Sequence, residues 1–228
     1  MNNPWKEIDL ADYENHMKLD TVMQLQTMNS MMKNQFEDYP VSTAMVLGIA
    51  GGNGLEHVSP DKYETVYGVD INEDYLRVVS ERYSDLSGIL KCLCIDLIND
   101  ADKLPHAELV IANLLIEYIG YDAFKNAIAK IDPQYVSCVI QINTDEKQWV
   151  SDSPYLHAFD RLDEVHHQME EKALSDAELL AIIIKTGTKE ETSVEVAQKI
   201  LNLNKLFLFE TEEKKYINVL RTFRYRWN

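Results

Sequence analysis

An apolar run, Val46-Leu47-Gly48-Ile49, feeds directly into Ala50-Gly51-Gly52-Asn53-Gly54, and a second apolar run, Val66-Tyr67-Gly68-Val69, ends in the carboxylate of Asp70. A strand, a glycine turn, a short helix and a strand closed by an acid form a βαβ unit that holds a nucleoside. The glycines let the backbone approach a ligand where a Cβ would clash. The acid is placed to accept hydrogen bonds from a ribose diol. The third glycine of a dinucleotide fingerprint would fall at His57, so that fingerprint is incomplete, and Glu56 would repel a pyrophosphate. A ligand without phosphate suits this turn better.

The surrounding text alternates. Strands are predicted over 44–49, 65–70, 90–95, 107–112 and 135–142, and helices over 54–58, 73–84, 99–103 and 121–131. Such alternation argues a parallel sheet covered on both faces, with ligands at the carboxyl ends of its strands. Residues 205–210 and 216–223 read as two closing strands around Thr211-Glu212-Glu213-Lys214. Upstream, 9–37 reads as one or two helices, with Met17, Val22, Met23, Leu25, Met28, Met31 and Met32 near helical spacing and Asp20-Thr21 as a cap. That methionine face fits either core packing or a pliable lid. The length of 228 residues suits one α/β domain.

At the glycine turn the chain resembles the class I S-adenosylmethionine (SAM) methyltransferases, whose first motif is an apolar strand ending in G-x-G-x-G. Ala50 stands where the family usually has its first glycine, and Gly48 where it often has an acid. The resemblance covers about 40–145 by motif and 205–225 by order of elements. It implies an α/β, Rossmann-like fold: a mostly parallel seven-stranded sheet with helices on both faces, an N-terminal helical cap over 1–39, and a cofactor domain over 40–228 that ends in an antiparallel hairpin. The implied cofactor is SAM. The residues implied to hold it are Gly48, Ala50, Gly51, Gly52, Asn53, Gly54, Asp70, Ile71, Asp96, Leu97 and Asn113. Asp96 would meet the adenine amino group, with Ile95 or Leu97 flanking the ring. The fourth strand leaves through Asn113-Leu114-Leu115-Ile116-Glu117-Tyr118, where family members face the methyl group. Asn113, Glu117 and Tyr118 are therefore the candidate catalytic residues, to orient a substrate or to accept or relay a proton. Leu114 and Leu115 replace the paired prolines of enzymes that methylate exocyclic amines of DNA bases, which argues against that subclass.

Residues 143–172 turn polar. Asp163 and His167 share a helical face at i,i+4, but no third ligand is forced and no metal is expected. His166 or His167 could serve as a general base. Residues 173–201 read as helix, glycine turn, helix, with Ser175 and Glu178 as a capping box, and are similar to the N-terminal part of the RadC-like proteins. The segment includes none of that family's metal-binding domain and reads here as a helical pair before the closing strands.

The balance of 22 basic against 38 acidic residues, −16 overall, disfavours nucleic acids and anionic membranes as partners. Cys92, Cys94 and Cys138 fall in predicted strands as small buried apolar groups of a reducing cytosol, and the amino terminus lacks a secretory pattern. The expected activity is methyl transfer in the cytoplasm to a small molecule or a protein group. A non-catalytic SAM-binding module of the same fold and a nicotinamide-dependent oxidoreductase are the competing readings.

Overall fold

The computed structural model describes residues 3–142, 153–167, 206–209 and 218–226. Five strands run parallel: β1 (Thr43–Leu47), β2 (Thr65–Asp70), β3 (Leu90–Cys94), β4 (Leu109–Asn113) and β5 (Tyr135–Ile142). Beside β5 lie two antiparallel strands, β6 (Leu206–Phe209) and β7 (Asn218–Arg226), giving the order β3-β2-β1-β4-β5-β7-β6. The connection between β6 and β7, and the segment 173–201, lie outside the described residues. The order reverses between β1 and β4, and at such a switch point the loops leaving neighbouring strands part to open a crevice.

Alternation along the strands splits the core between the two faces. Met45, Leu47, Val110, Ala112, Val136 and Cys138 pack with Phe124, Ala127, Ile128 and Ile131 of α4 (Ile116–Ile131). Ala44, Val46, Val66 and Ile111 point the other way, onto Met32 and Phe36 of α2 (Gln24–Glu37) and Leu76 and Val79 of α3 (Glu73–Arg82). Burial on both faces explains why β1 and β4 read as continuous apolar runs. Each fully buried large apolar side chain contributes roughly 1.5–3 kcal/mol.

Helix ends follow local chemistry. Asp9 caps α1 (Leu10–Met17) by accepting from the N–H groups of Ala11 and Asp12, and Asn72 caps α3 by accepting from Asp74 and Tyr75. Asp20-Thr21 does not cap α2. That helix starts after Met23, which has φ 54° and no side-chain cap. The expected helix 121–131 begins earlier, at Ile116, because Gly120 (φ 73°) joins a short first turn to the main helix through a kink. The helices expected over 54–58 and 99–103 are single 3₁₀ turns, Leu55–His57 and Ala101–Lys103. Of the cysteines only Cys138 is buried; Cys94 is exposed, because β3 is an edge strand. Among the described residues no helix is long and apolar enough to cross a membrane.

At the amino-terminal edge of the sheet, Glu108 ties β1 to β4. One carboxylate oxygen accepts from the backbone N–H of Ser42 (2.8 Å) and Thr43 (2.9 Å) and from both of their hydroxyls. Burial opposes the charge, but these hydrogen bonds outweigh it and hold the carboxyl below its usual range. A carboxyl lowered in the folded state adds stability that is present above its unfolded value and lost as pH falls through the folded one. Glu108→Ala is therefore expected to cost about 2 kcal/mol at neutral pH in urea denaturation, with the deficit shrinking as pH drops below about 4.

Candidate functional site

The crevice at the carboxyl ends of the strands is built around Asp70. Its Oδ2 accepts from the Ala50 N–H (2.9 Å) and its Oδ1 from the Asn72 N–H (3.0 Å), so the acid that ends β2 pins both the glycine turn and the start of α3. Burial pushes this carboxyl up, and the hydrogen bonds from Asn72, Ala50 and Ile71 partly counter it. The turn is tightly wound: Gly48 (φ 69°), Ala50 (φ 45°), Gly52 (φ 78°) and Gly54 (φ 93°) all lie in the left-handed region. Ala50 carries a Cβ in that region and is held there by its bond to Asp70.

A cavity of about 700 Å³ opens over this floor. Gly48, Ala50, Asp70, Ile71, Asp96, Leu97 and Asn113 line it, seven of the eleven residues that the resemblance implied. Ile95, Ile98, Leu114, Leu115 and Ile119 supply apolar walls. A mostly apolar lining with a few polar groups is typical of small-ligand sites. Asp96 borders the cavity, yet its carboxylate also accepts from the N–H of Ile98 (2.9 Å) and from the Asn99 side chain (2.8 Å), shaping its own turn.

A second cavity, of about 550 Å³, adjoins the first through Tyr13, Gly48, Ala50, Asn113 and Leu114. It runs beneath α1 and α2, where Met17, Leu25, Met28 and Met32 face it, and Gly51 and Asn53 complete its glycine-turn wall. Gly52 and Gly54 line neither cavity. A Cβ on Gly52 would lie 2.7 Å from the Tyr83 ring, and one on Gly54 would lie 2.4 Å from Cβ of Met32. These two glycines fit the turn closely against Tyr83 and Met32.

The N-terminal helices are bound to the turn. Asn53 donates to the Leu25 carbonyl (2.8 Å), Asn29 donates to Asn53 (3.1 Å) and Glu56 (2.5 Å), and His57 Nε2 meets Asn29 (2.9 Å). Glu56, which would repel a pyrophosphate, also accepts from the Gly54 N–H and from Tyr83 Oη. Further along, Trp5 stacks edge-on with Tyr13 (5.8 Å) and Tyr118 (4.9 Å), and all three border the first cavity. Burial, then the charge of Asp70, pushes the Tyr13 phenol up; burial, then Glu117, does the same for Tyr118. Both stay protonated near neutral pH, which suits hydrogen-bond donors rather than bases.

The three candidate catalytic residues separate. Asn113 exchanges two amide hydrogen bonds with Gln35 (3.0 and 2.8 Å), and Gln35 also donates to Ser137 (3.0 Å). Asn113 thus borders both cavities while its amide anchors α2. Tyr118 borders the first cavity, whereas Glu117 lines neither and is only 2% exposed. Asp163 and His167 do not share a helix face, because the chain here forms short 3₁₀ turns, Leu156–Phe159 and Leu162–Glu164. His167 donates its N–H to the Glu117 carbonyl, and its ring packs by Gly120; His166 packs on Tyr118. Neither histidine lines either of these two cavities. Trp5, Tyr13 and Glu14 went unnoticed in the sequence, since they precede every motif. Aromatic residues in the otherwise polar first helix were the available signal.

The family profile described as "UPF0758 N-terminal" matches residues 158–225, a span that includes the segment similar to RadC-like proteins. No curated protein matches the chain. Among solved structures the fold resembles the methyltransferase domain of bacterial CtHen1-C (TM-score 0.56, 12% identity, covering 90% of this chain and 97% of that one). It also resembles the N-terminal domain of EvdMO1 crystallised with SAH and D-fucose (TM-score 0.55, 13% identity, 89% and 83%). A third is magnesium protoporphyrin IX methyltransferase from Synechocystis PCC 6803 with bound SAM (TM-score 0.53, 12% identity, 98% and 97%). At these identities the likeness shows the fold: α/β, Rossmann-like, of the methyltransferase type, with a parallel sheet.

Gly52→Val is expected to lower stability by about 1–3 kcal/mol through its positive φ and the clash with Tyr83. Thermal denaturation in a double-mutant cycle with Tyr83→Ala should show favourable coupling, because removing the ring relieves the clash; additive losses would contradict this geometry.

Proposed function

We propose that this chain is a SAM-dependent methyltransferase acting on a small molecule or a protein group. The observation that carries the reading is Asp70: a carboxylate at the end of β2, fixed by backbone N–H groups, bordering a mostly apolar cavity at the switch point of the sheet. The residues present fit the cofactor. The Asp70 carboxylate has about four acceptor positions, more than its backbone N–H partners use, which leaves room to accept from a ribose hydroxyl. Ile71, Leu97 and Ile98 offer apolar faces to a flat base, and Tyr13 and Tyr118 border the same space. Solved relatives in fold carry SAM or SAH in this architecture.

When bound, the cofactor supplies an electrophilic methyl on a sulfonium. The protein's part is to align the acceptor and exclude water, since charge disperses during such a transfer. The Trp5–Tyr13–Tyr118 cluster closes the cavity on the side of the N-terminal cap, and Leu114 and Leu115 wall the side from which an acceptor approaches. A base is needed only for an acceptor that arrives protonated. Tyr118, which borders the cavity, is placed to orient it. The net charge of −16 favours a small-molecule or protein acceptor over a polyanion. Binding without transfer is the second reading. It is favoured by Asn113, whose amide is engaged with Gln35 rather than turned wholly to the cavity.

Calorimetry with SAM is the first test, with a nicotinamide dinucleotide as control. Asp70→Asn should weaken SAM binding at least tenfold, since charge-assisted hydrogen bonds contribute about 1.5–3 kcal/mol each. Burial raises the Asp70 carboxyl, so wild-type affinity should fall as acidification protonates it, earlier than an ordinary aspartate would, while the Asn variant stays flat. Release of SAH above background on adding a metabolite extract supports transfer. Binding without release supports the second reading, and no binding of SAM sinks both.

A further inference from the structure

We propose that Glu14, on α1, is a cofactor-binding residue whose carboxylate receives the ammonium group at the amino-acid end of SAM. This rests on the methyltransferase reading above and adds a residue from the N-terminal cap to its site.

The second cavity continues from Ala50 along the glycine turn, away from Asp70. Among the described residues that line it, Glu14 alone carries a formal charge. Its carboxylate lies against the turn, so that a methyl group added at Gly51 would sit 2.1 Å from Oε1. Arg82 holds it there with two hydrogen bonds (2.6 and 3.2 Å) and also donates to the Gly51 carbonyl (2.7 Å). A carboxylate has about four acceptor positions, and Arg82 uses two. The free positions belong to an anchored acceptor on the wall of an otherwise apolar space, which favours a cationic donor over a neutral one.

The two cavities meet at Ala50, with Asp70 beyond one side and Glu14 beyond the other. A ligand spanning them needs a diol at one end and a cation at the other. SAM has that layout: a ribose, then an α-amino group. Arg82, behind Glu14, keeps the pair near neutral overall, so the carboxylate of the same amino-acid end is not driven out. Glu14 then binds the ligand, and Arg82 positions Glu14.

The test compares three ligands by calorimetry on the full chain: SAM; decarboxylated SAM, which keeps the ammonium; and 5′-methylthioadenosine, which has the nucleoside but no amino-acid end. Glu14→Gln is expected to weaken SAM and decarboxylated SAM about tenfold or more and to leave methylthioadenosine within about twofold, the size of one lost charge-assisted bond. Equal weakening of all three would assign Glu14 a structural role only and overturn the proposal, as would no weakening of any. Wild-type protein that binds none of the three overturns the methyltransferase reading itself, and this proposal with it. Melting temperature monitors the fold. Should Glu14→Gln not fold, Glu14→Asp keeps the charge but shortens its reach, and the same selective loss for the two amines is required of it.

Discussion

The hydrogen bond from the Ala50 N–H to the Asp70 carboxylate joins the two halves of the βαβ unit, and the geometry of the crevice depends on it. It holds an alanine at φ 45°, in a region that side chains with a Cβ rarely occupy. With Ala50 fixed, the turn passes Gly51 beneath α1 and brings Asn53 to α2. Burying an acid is unfavourable unless donors surround it. Backbone donors from Asn72, Ala50 and Ile71 are present, yet the Asp70 carboxyl is still raised. An acid left short of donors beside a cavity is poised to gain from a ligand that brings hydroxyls, so the same contact links fold to function.

The N-terminal cap depends on that turn in its own way. Its methionines alone would pack adaptably but without a fixed register. Register comes from polar contacts at three places: Asn29 and Asn53 over the turn, Gln35 against Asn113 and Ser137, and Glu14 with Arg82. Buried amide pairs are costly when half satisfied and specific when complete. Gln35 is fully buried and completes its set, so α2 can sit in only one way over β4 and β5. The cap thereby closes both cavities with side chains the glycine motif does not encode.

The core of the fold was legible because both faces of the central strands are covered. β2 and β5 match their expected bounds, and the bounds of β1, β3 and β4 shift by one or two residues. Helix starts were less legible. Met23 replaces the expected Asp20-Thr21 cap, and the turn before Gly120 carries no helical signature, since a positive φ at one glycine is a tertiary choice. In the site, strand-end residues could be read because topology places them: Asp70, Ile71, Asp96 and Leu97 all reach the first cavity. The glycines were harder. Gly52 and Gly54 share a motif with Gly48 and Gly51 but answer to Tyr83 and Met32, contacts distant in sequence. Trp5, Tyr13 and Glu14 arrive from a segment without a motif, and only the packing of the turn Pro4–Lys6 and of α1 brings them in.

The carboxyl-terminal part of the chain completes the sheet on the side of β5. The profile match over 158–225 spans β6 and most of β7, and β7 pairs with β5 along Tyr135 to Ile142, the strand whose other edge holds β4. The matched span therefore supplies the antiparallel side of the sheet and is not a separate appendage to it. Antiparallel strands at that side cover the backbone edge that β5 would otherwise expose, a known liability of open sheets. The site lies at the carboxyl ends of the strands from β3 to β4, and every residue that lines its two cavities precedes residue 120.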